Sequence, residues 1–219
     1  MGRQTNQTIE NASGRNGDGG LTILHLSDTH GRHRELGALP EADVVVHTGD
    51  FTMAGTEDEA MDFLRWFAGL PHRHKVFVAG NHDDCLWQAT IDGLGGGCHY
   101  LCHSGVTIRG VRFYGVPMFV ADCMEGRYEA QLRRIPEGTD VLLTHQPPLG
   151  RLDVSGGRHY GNAALRERVE QVEPRFHLFG HVHGAGGVLT AGATTFVNSA
   201  LLDDRYRRLF APRLLAFGR

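Results

Sequence analysis

The sequence is short of the features that mark several common protein classes. No run of about 18 apolar residues occurs, so no membrane-spanning helix is expected. The first stretch, residues 1–20, is rich in Asn, Gly, Thr and Gln and lacks the apolar centre of a secretory leader. A cytoplasmic setting is the expectation that follows. Among the four cysteines, Cys85, Cys98, Cys102 and Cys123, no Cys-x-x-Cys pair is found. That excludes a zinc ribbon or a thiol-redox motif and points to idle thiols in a reducing compartment. Basic excess is also missing. The formal net charge is -3, so no dedicated nucleic-acid surface is expected. Arg205, Arg207 and Arg208 read as a solvated face. There is no internal repeat and no linker. Residues 1–20 are read as a disordered tail, and residues 21–219 as a single domain.

Histidine, by contrast, is abundant: the chain has 14. Its meaning depends on where the histidines fall along the pattern of apolar runs. Leu21–Leu26, Asp43–His47, Lys75–Ala79, Val141–Leu143 and Phe176–Phe179 read as strands, several of them apolar enough to be buried on both faces. Val106–Arg109 and Val111–Tyr114 flank Gly110 as a hairpin. Val188–Thr190, Thr194–Val197 and Leu214–Phe217 are further strands. Thr56 to Leu70 reads as a helix, with Thr56 and Glu59 as a capping box and Ala60, Phe63, Leu64 and Phe67 on one face. Arg127–Ile135 and Asn162–Val172 are the other helices, the latter capped by Asn162 and closed by Pro174.

The chemistry sits just past the ends of five strands. The first leads into Asp28-Thr29-His30, the second into Gly49-Asp50, the third into Gly80-Asn81-His82-Asp83. Val141–Leu143 leads into Thr144-His145, and Phe176–Phe179 into Gly180-His181-Val182-His183. In open α/β sheets ligands bind beyond the carboxyl ends of strands. Carboxylate, imidazole and amide oxygen together suit divalent ions of intermediate hardness: manganese first, with iron, zinc, cobalt or nickel as alternatives. Asp28, His30, Asp50, Asn81, His145, His181 and His183 make seven ligands, too many for one tetrahedral zinc. Two ions sharing a carboxylate fit that count.

This ordered set resembles the calcineurin-like metallophosphoesterase superfamily. Leu26-Ser-Asp-Thr-His-Gly-Arg-His33, Thr139-Asp-Val-Leu-Leu-Thr-His-Gln-Pro-Pro-Leu-Gly150 and Pro174-Arg-Phe-His-Leu-Phe-Gly-His181 narrow it to the MPPED type. Those proteins are similar to class III cyclic-nucleotide phosphodiesterases. The resemblance implies an α/β (α+β layered) fold, a four-layer αββα sandwich of two mixed β-sheets flanked by helices. It implies that Asp28, His30 and His183 hold one metal, that Asn81, His145 and His181 hold the other, that Asp50 bridges them, and that His82 stands off the metals as the catalytic imidazole. His183, which some members lack, is present. Gly49-Asp50 is not followed by the Arg-Gly of Ser/Thr protein phosphatases.

The expected reaction is hydrolysis of small phosphodiesters, cyclic nucleotides among them, by a metal-bridging hydroxide. Phosphomonoester hydrolysis is the alternative, and a nucleotide-binding or scaffold protein with little turnover is a third reading. A protonated His82, oriented by Asp83 or Asp84, would stabilise the charge on the phosphoryl oxygens or donate a proton to the leaving oxygen. His159 and Arg158, in a Gly-rich loop, are candidates for substrate contact. His25 and His47 are expected in the core or behind the ligands rather than on a metal, and Asn198 as a support of the site.

Overall fold

The computed structural model describes residues 9–10, 20–207 and 209–218. The expected tail falls outside the described residues apart from Ile9–Glu10 and Gly20, and Arg208 lies outside them too. The strands in chain order begin with β1 (Ile9–Glu10), β2 (Leu21–Leu26), β3 (Val44–Thr48), β4 (His74–Val78), β5 (Cys98–Tyr100), β6 (Ser104–Ile108) and β7 (Val111–Val116). They continue with β8 (Val141–Thr144), β9 (Val154–Ser155), β10 (Arg158–His159), β11 (Phe176–Phe179), β12 (Gly187–Ala191), β13 (Thr194–Asn198) and β14 (Arg213–Phe217). The helices are α1 (Glu57–Ala68), α2 (Val120–Met124), α3 (Arg127–Leu132) and α4 (Ala163–Val172).

Two six-stranded sheets run in the orders β1-β14-β2-β3-β4-β5 and β12-β13-β11-β8-β7-β6. In the first, β2 to β5 are parallel and β14 is antiparallel to β2. In the second, β13, β11, β8 and β7 are parallel and the edge strands β12 and β6 are antiparallel. Both sheets are therefore mixed. The two-residue β1, pairing in parallel with β14, lies within the stretch read as a tail.

Period-2 alternation explains the layering. Ile23, Val44, Val46, Val76 and Val78 of the first sheet pack against Phe113, Val141, Leu143, Phe176 and Leu178 of the second. Their strand neighbours turn outward. Leu24, Leu26, Val45 and Phe77 meet Ala60, Phe63, Leu64 and Phe67 of α1. On the far side Leu142 and Phe179 meet Leu132 of α3 and Leu165 and Val169 of α4. The order of layers is helix, sheet, sheet, helix, as the resemblance implied. The expected capping box is formed at Thr56 and Glu59, and Asn162 accepts the Leu165 amide at 2.9 Å. The helix expected over 127–135 is shorter and ends at Leu132. The Gly-rich loop around His159 is a two-strand hairpin, β9–β10.

Beneath the carboxyl ends of the central strands lie three fully buried histidines, each bonded to a threonine. His25 Nε2 is 2.9 Å from Thr48 Oγ1, His47 Nε2 is 3.1 Å from Thr29 Oγ1, and His177 Nε2 is 2.9 Å from Thr144 Oγ1. His25 and His47 thus take the core positions expected of them. Burial pushes the pKa of His47 and of His177 down to about 3. The unfolded chain takes up these protons near pH 6.5, before the folded chain does. Their stabilising contribution is complete above that pH and is lost as pH falls towards 3. The slope approaches about 1.4 kcal/mol per pH unit for each histidine. His177→Gln is expected to flatten the decline of the urea midpoint between pH 6.5 and 4 by one proton's worth. An unchanged slope in chelator-treated protein would count against it.

Candidate metal centre

The parallel strands β2, β3 and β4 of one sheet and β8 and β11 of the other end at the same edge of the sandwich. Loops from both sheets are stitched together there. Asp28 N donates to Gly49 O at 3.0 Å, His30 N to Asp50 O at 3.0 Å, and Gly180 N to His145 O at 3.1 Å. Between the sheets, His181 N donates to Asp28 Oδ1 at 3.0 Å. Phe51 is buried and stacks on Phe63 of α1 with ring centroids 4.1 Å apart, which fixes the loop carrying Asp50.

Local backbone shape is unusual here. Asp28, His30, Asp50 and His181 have φ of 55°, 41°, 55° and 66°, a left-handed conformation rare outside glycine. Such strain gathers at functional sites, held by the surrounding hydrogen bonds. Two glycines allow close approach. A Cβ on Gly180 would collide with Asp28 Oδ2 and Ser27 Oγ, and one on Gly80 would lie 2.6 Å from Asp50 N and 2.8 Å from His145 Cε1.

The histidines are oriented by backbone carbonyls. His145 Nδ1 lies 2.8 Å from Thr48 O, His30 Nδ1 3.0 Å from Thr52 O, His183 Nδ1 3.1 Å from Asp203 O, and His82 Nδ1 2.8 Å from Met53 O. A carbonyl only accepts, so each Nδ1 carries a proton, and in the neutral ring that a metal would require each Nε2 turns a lone pair toward the centre. There the lone pairs converge. His145 Nε2 is 3.2 Å from Asp50 Oδ2 and 3.1 Å from Asn81 Oδ1. His183 Nε2 is 3.4 Å from Asp28 Oδ1 and 3.4 Å from His30 Nε2. Asp28, His30 and His183 form one group of converging ligand atoms, Asp50, His145 and His181 a second, and His30, Asp50 and His82 a third.

All seven predicted ligands and His82 are therefore brought together. The electrostatics ask for a cation. Burial alone would lower the His145 pKa, but the Asp50 carboxylate, with Asp28 behind it, raises it to about 9. For His183 burial is likewise outweighed by Asp28, and the pKa rises. His181 goes the other way: burial and the neighbouring His145 lower it to about 4. Burial also opposes ionisation of Asp28, yet His183, His145 and His30 hold it well below the usual carboxylate range.

The sequence of a known family matches this arrangement. The model of the calcineurin-like phosphoesterase family matches residues 21–185. The chain belongs to this family. Membership makes it a metal-dependent hydrolase of phosphate esters. The human Metallophosphoesterase domain-containing protein 1 is 34% identical over 222 residues, covering 85% of this chain and 68% of that protein. A UPF0046 protein of Caenorhabditis elegans is 36% identical over 222 residues, covering 88% of this chain and 79% of its own length. The crystal structure of TT1561 of Thermus thermophilus superposes with a TM-score of 0.57 at 19% identity, over 86% of this chain and 96% of that one, a likeness of fold. The family implies divalent metal ions, and the donor set fits them. Bare imidazole nitrogens, carboxylate oxygens and an amide oxygen face one another at contact distance, an arrangement that a cation relieves.

Four residues differ from expectation or were missed. Asp83 does not orient His82. Its buried carboxylate accepts from Asp50 N at 2.8 Å, Thr52 N at 2.9 Å, Thr52 Oγ1 at 2.9 Å and Gly80 N at 2.8 Å, and so ties the Asp50 loop to the Asn81 loop. Asp84 instead accepts from Val120 N at 3.3 Å. Asp153, buried, holds the exposed His159 through its Nδ1 at 3.0 Å and also accepts from Gly150 N at 2.9 Å. Tyr206 lies with its ring 4.8 Å from that of His30 and 4.9 Å from that of His183, and no motif marks it. Arg158 is exposed, with no ion pair among the described residues. Asn198 does brace the site: its Nδ2 donates to Val182 O at 2.9 Å, between His181 and His183.

Among the described residues no helix is long and apolar enough to cross a membrane.

Proposed function

We propose that the chain hydrolyses small phosphodiesters, cyclic nucleotides among them, at a dinuclear metal centre. The observation that carries this reading is the convergence of two acceptor groups, Asp28–His30–His183 and Asp50–His145–His181, with Asp50 Oδ2 also 3.8 Å from His30 Nε2. Asp28, His30 and His183 hold one ion; Asn81, His145 and His181 hold the other; Asp50 serves both. Manganese is the first choice of metal. Two such ions supply Lewis acidity toward phosphoryl oxygens and lower the pKa of a water.

The remaining work falls to the protein. His82, anchored at Nδ1 by Met53 O, turns Nε2 toward the centre, and in its imidazolium form it would pass the Nε2 proton to the leaving oxygen and return to the neutral ring. His159, held by Asp153, and the neighbouring Arg158 contact the substrate. Their hairpin is bracketed by the ligand loops: Gln146, next to His145, donates to Tyr160 O at 3.0 Å, and a Cβ on Gly184, next to His183, would lie 3.3 Å from Ser155 Oγ. The unpaired charge of Arg158 favours a second reading, phosphomonoester hydrolysis, because a monoester carries more negative charge. The free cysteines fit a reducing, cytoplasmic setting.

The test is hydrolysis of bis-p-nitrophenyl phosphate beside p-nitrophenyl phosphate by metal-stripped protein reloaded with manganese. Manganese-dependent cleavage of the diester is expected. His82→Ala is expected to lower it by about 10²- to 10⁴-fold with manganese content retained. Loss of metal in that variant would make His82 a ligand. No cleavage of either ester with manganese, nickel, cobalt or zinc would turn the reading to a nucleotide-binding or scaffold protein.

A further inference from the structure

Tyr206 occupies a position that its backbone disfavours. Its φ is 57°, where glycine is unstrained and a tyrosine is not. Hydrogen bonds over-determine the loop. Tyr206 N donates to Asp203 O at 2.8 Å, Arg205 N and Arg207 N donate to Asp203 Oδ1 at 3.1 and 2.8 Å, and Arg32 Nη1 donates to Tyr206 O at 2.9 Å. The same Asp203 carbonyl orients His183. One short loop thus sets both a candidate ligand and the aromatic ring laid against it.

The ring does not act as a plug. It touches His30 and His183, yet Tyr206 is 38% exposed, and its hydroxyl has no hydrogen-bond partner among the described residues. A ring serving only to shield the two imidazoles would need no hydroxyl. At neutral pH a phenol is a hydrogen-bond donor, and the neutral rings of His30 and His183, with their Nδ1 protons on Thr52 O and Asp203 O, offer no second donor beside it. The complementary partner is an anionic oxygen arriving from solvent.

We propose that Tyr206 is a substrate-contacting residue, whose hydroxyl donates a hydrogen bond to a phosphoryl oxygen held over Asp28, His30 and His183. The inference rests on the phosphoesterase reading of that site and adds the residue that borders it on the solvent side. A hydrogen bond to a charged oxygen corresponds to about tenfold to hundredfold in affinity.

The test uses the full chain loaded with manganese. Inorganic phosphate is titrated calorimetrically into wild type, Tyr206→Phe and Tyr206→Leu, with manganese content and bis-p-nitrophenyl phosphate turnover measured on each. Tyr206→Phe is expected to bind phosphate at least about tenfold more weakly and to lose kcat/KM in proportion, with its manganese retained. Phosphate affinity and turnover equal to wild type in Tyr206→Phe would overturn the proposal while leaving the phosphoesterase reading intact. Weakening in Tyr206→Leu alone, or loss of manganese in Tyr206→Phe, would also overturn it, since either outcome makes the ring a structural prop. Phosphate binding that depends on the hydroxyl, in a protein that cleaves no ester, would support the contact and sink the hydrolytic reading instead. Absence of phosphate binding by wild type would overturn both.

Discussion

On the proposed dinuclear manganese reading, Asp50→Asn is expected to reduce the metal from two ions per chain to one or none and to lower diester turnover by about two to three orders of magnitude. Asp50 is 3% exposed, and both its oxygens are engaged. Oδ1 accepts from His82 N at 2.8 Å, while Oδ2 faces His145 Nε2 at 3.2 Å and His30 Nε2 at 3.8 Å. Asparagine keeps the shape and removes the charge. Whichever way the amide turns, its NH₂ either meets the His82 amide, donor against donor, or occupies the edge facing the two imidazoles. Losing one preorganised electrostatic contact to the transition state costs about two to three orders of magnitude in rate. Metal analysis beside turnover of bis-p-nitrophenyl phosphate checks this. Two retained ions and a loss below tenfold would remove Asp50 from the shared position.

Gly80→Ala should disable the centre without replacing a charged group. The added methyl would stand 2.6 Å from Asp50 N and 2.8 Å from His145 Cε1, and would collide with Asp50 Oδ1. The first neighbour is backbone, held by Asp83 at 2.8 Å, and cannot swing aside as a side-chain tip can. Overpacking of this kind costs about 1–3 kcal/mol, or roughly 2–4 °C in Tm for each kcal/mol in a chain of this size. The displacement falls on Asp50 and His145 together, so metal should be lost along with stability. Thermal melts with and without manganese distinguish the two effects. The stabilisation that manganese confers on wild type should be absent from the variant. A variant stabilised by manganese as strongly as wild type would show that the loops relax around the methyl.

Much of this molecule could be read from its residues, and the reasons are physical. Val44, Val45 and Val46 are apolar on both faces because helices and a second sheet cover both sides, so a continuous apolar run sufficed to place the strand. Thr56 and Glu59 reveal the start of α1 because capping is local chemistry. Asp28, His30, Asp50, Asn81, His145, His181 and His183 stood out because each follows a strand end by one to four residues. The short elements did not stand out. β1, β5, β9 and β10 have two or three residues each, too few for any period to show. Asp83 was assigned to the wrong partner because adjacency to His82 is a fact of sequence, whereas its carboxylate turns back to the Asp50 loop. Tyr206 is brought to His30 by a loop 174 residues away from Arg32, its anchor, and no pattern along the chain records that contact.

The carbonyl anchors of the imidazoles bear on how this site tolerates change. Thr48, Thr52, Met53 and Asp203 each hold a ring through the peptide group, an atom set that every amino acid possesses. Substitution at Met53 alters what is displayed at the rim while the anchor on His82 stays in place. A side chain such as that of Met53 can therefore be exchanged without loosening the histidine it anchors. Selection for a new ester and preservation of the chemistry act on different atoms of the same residue.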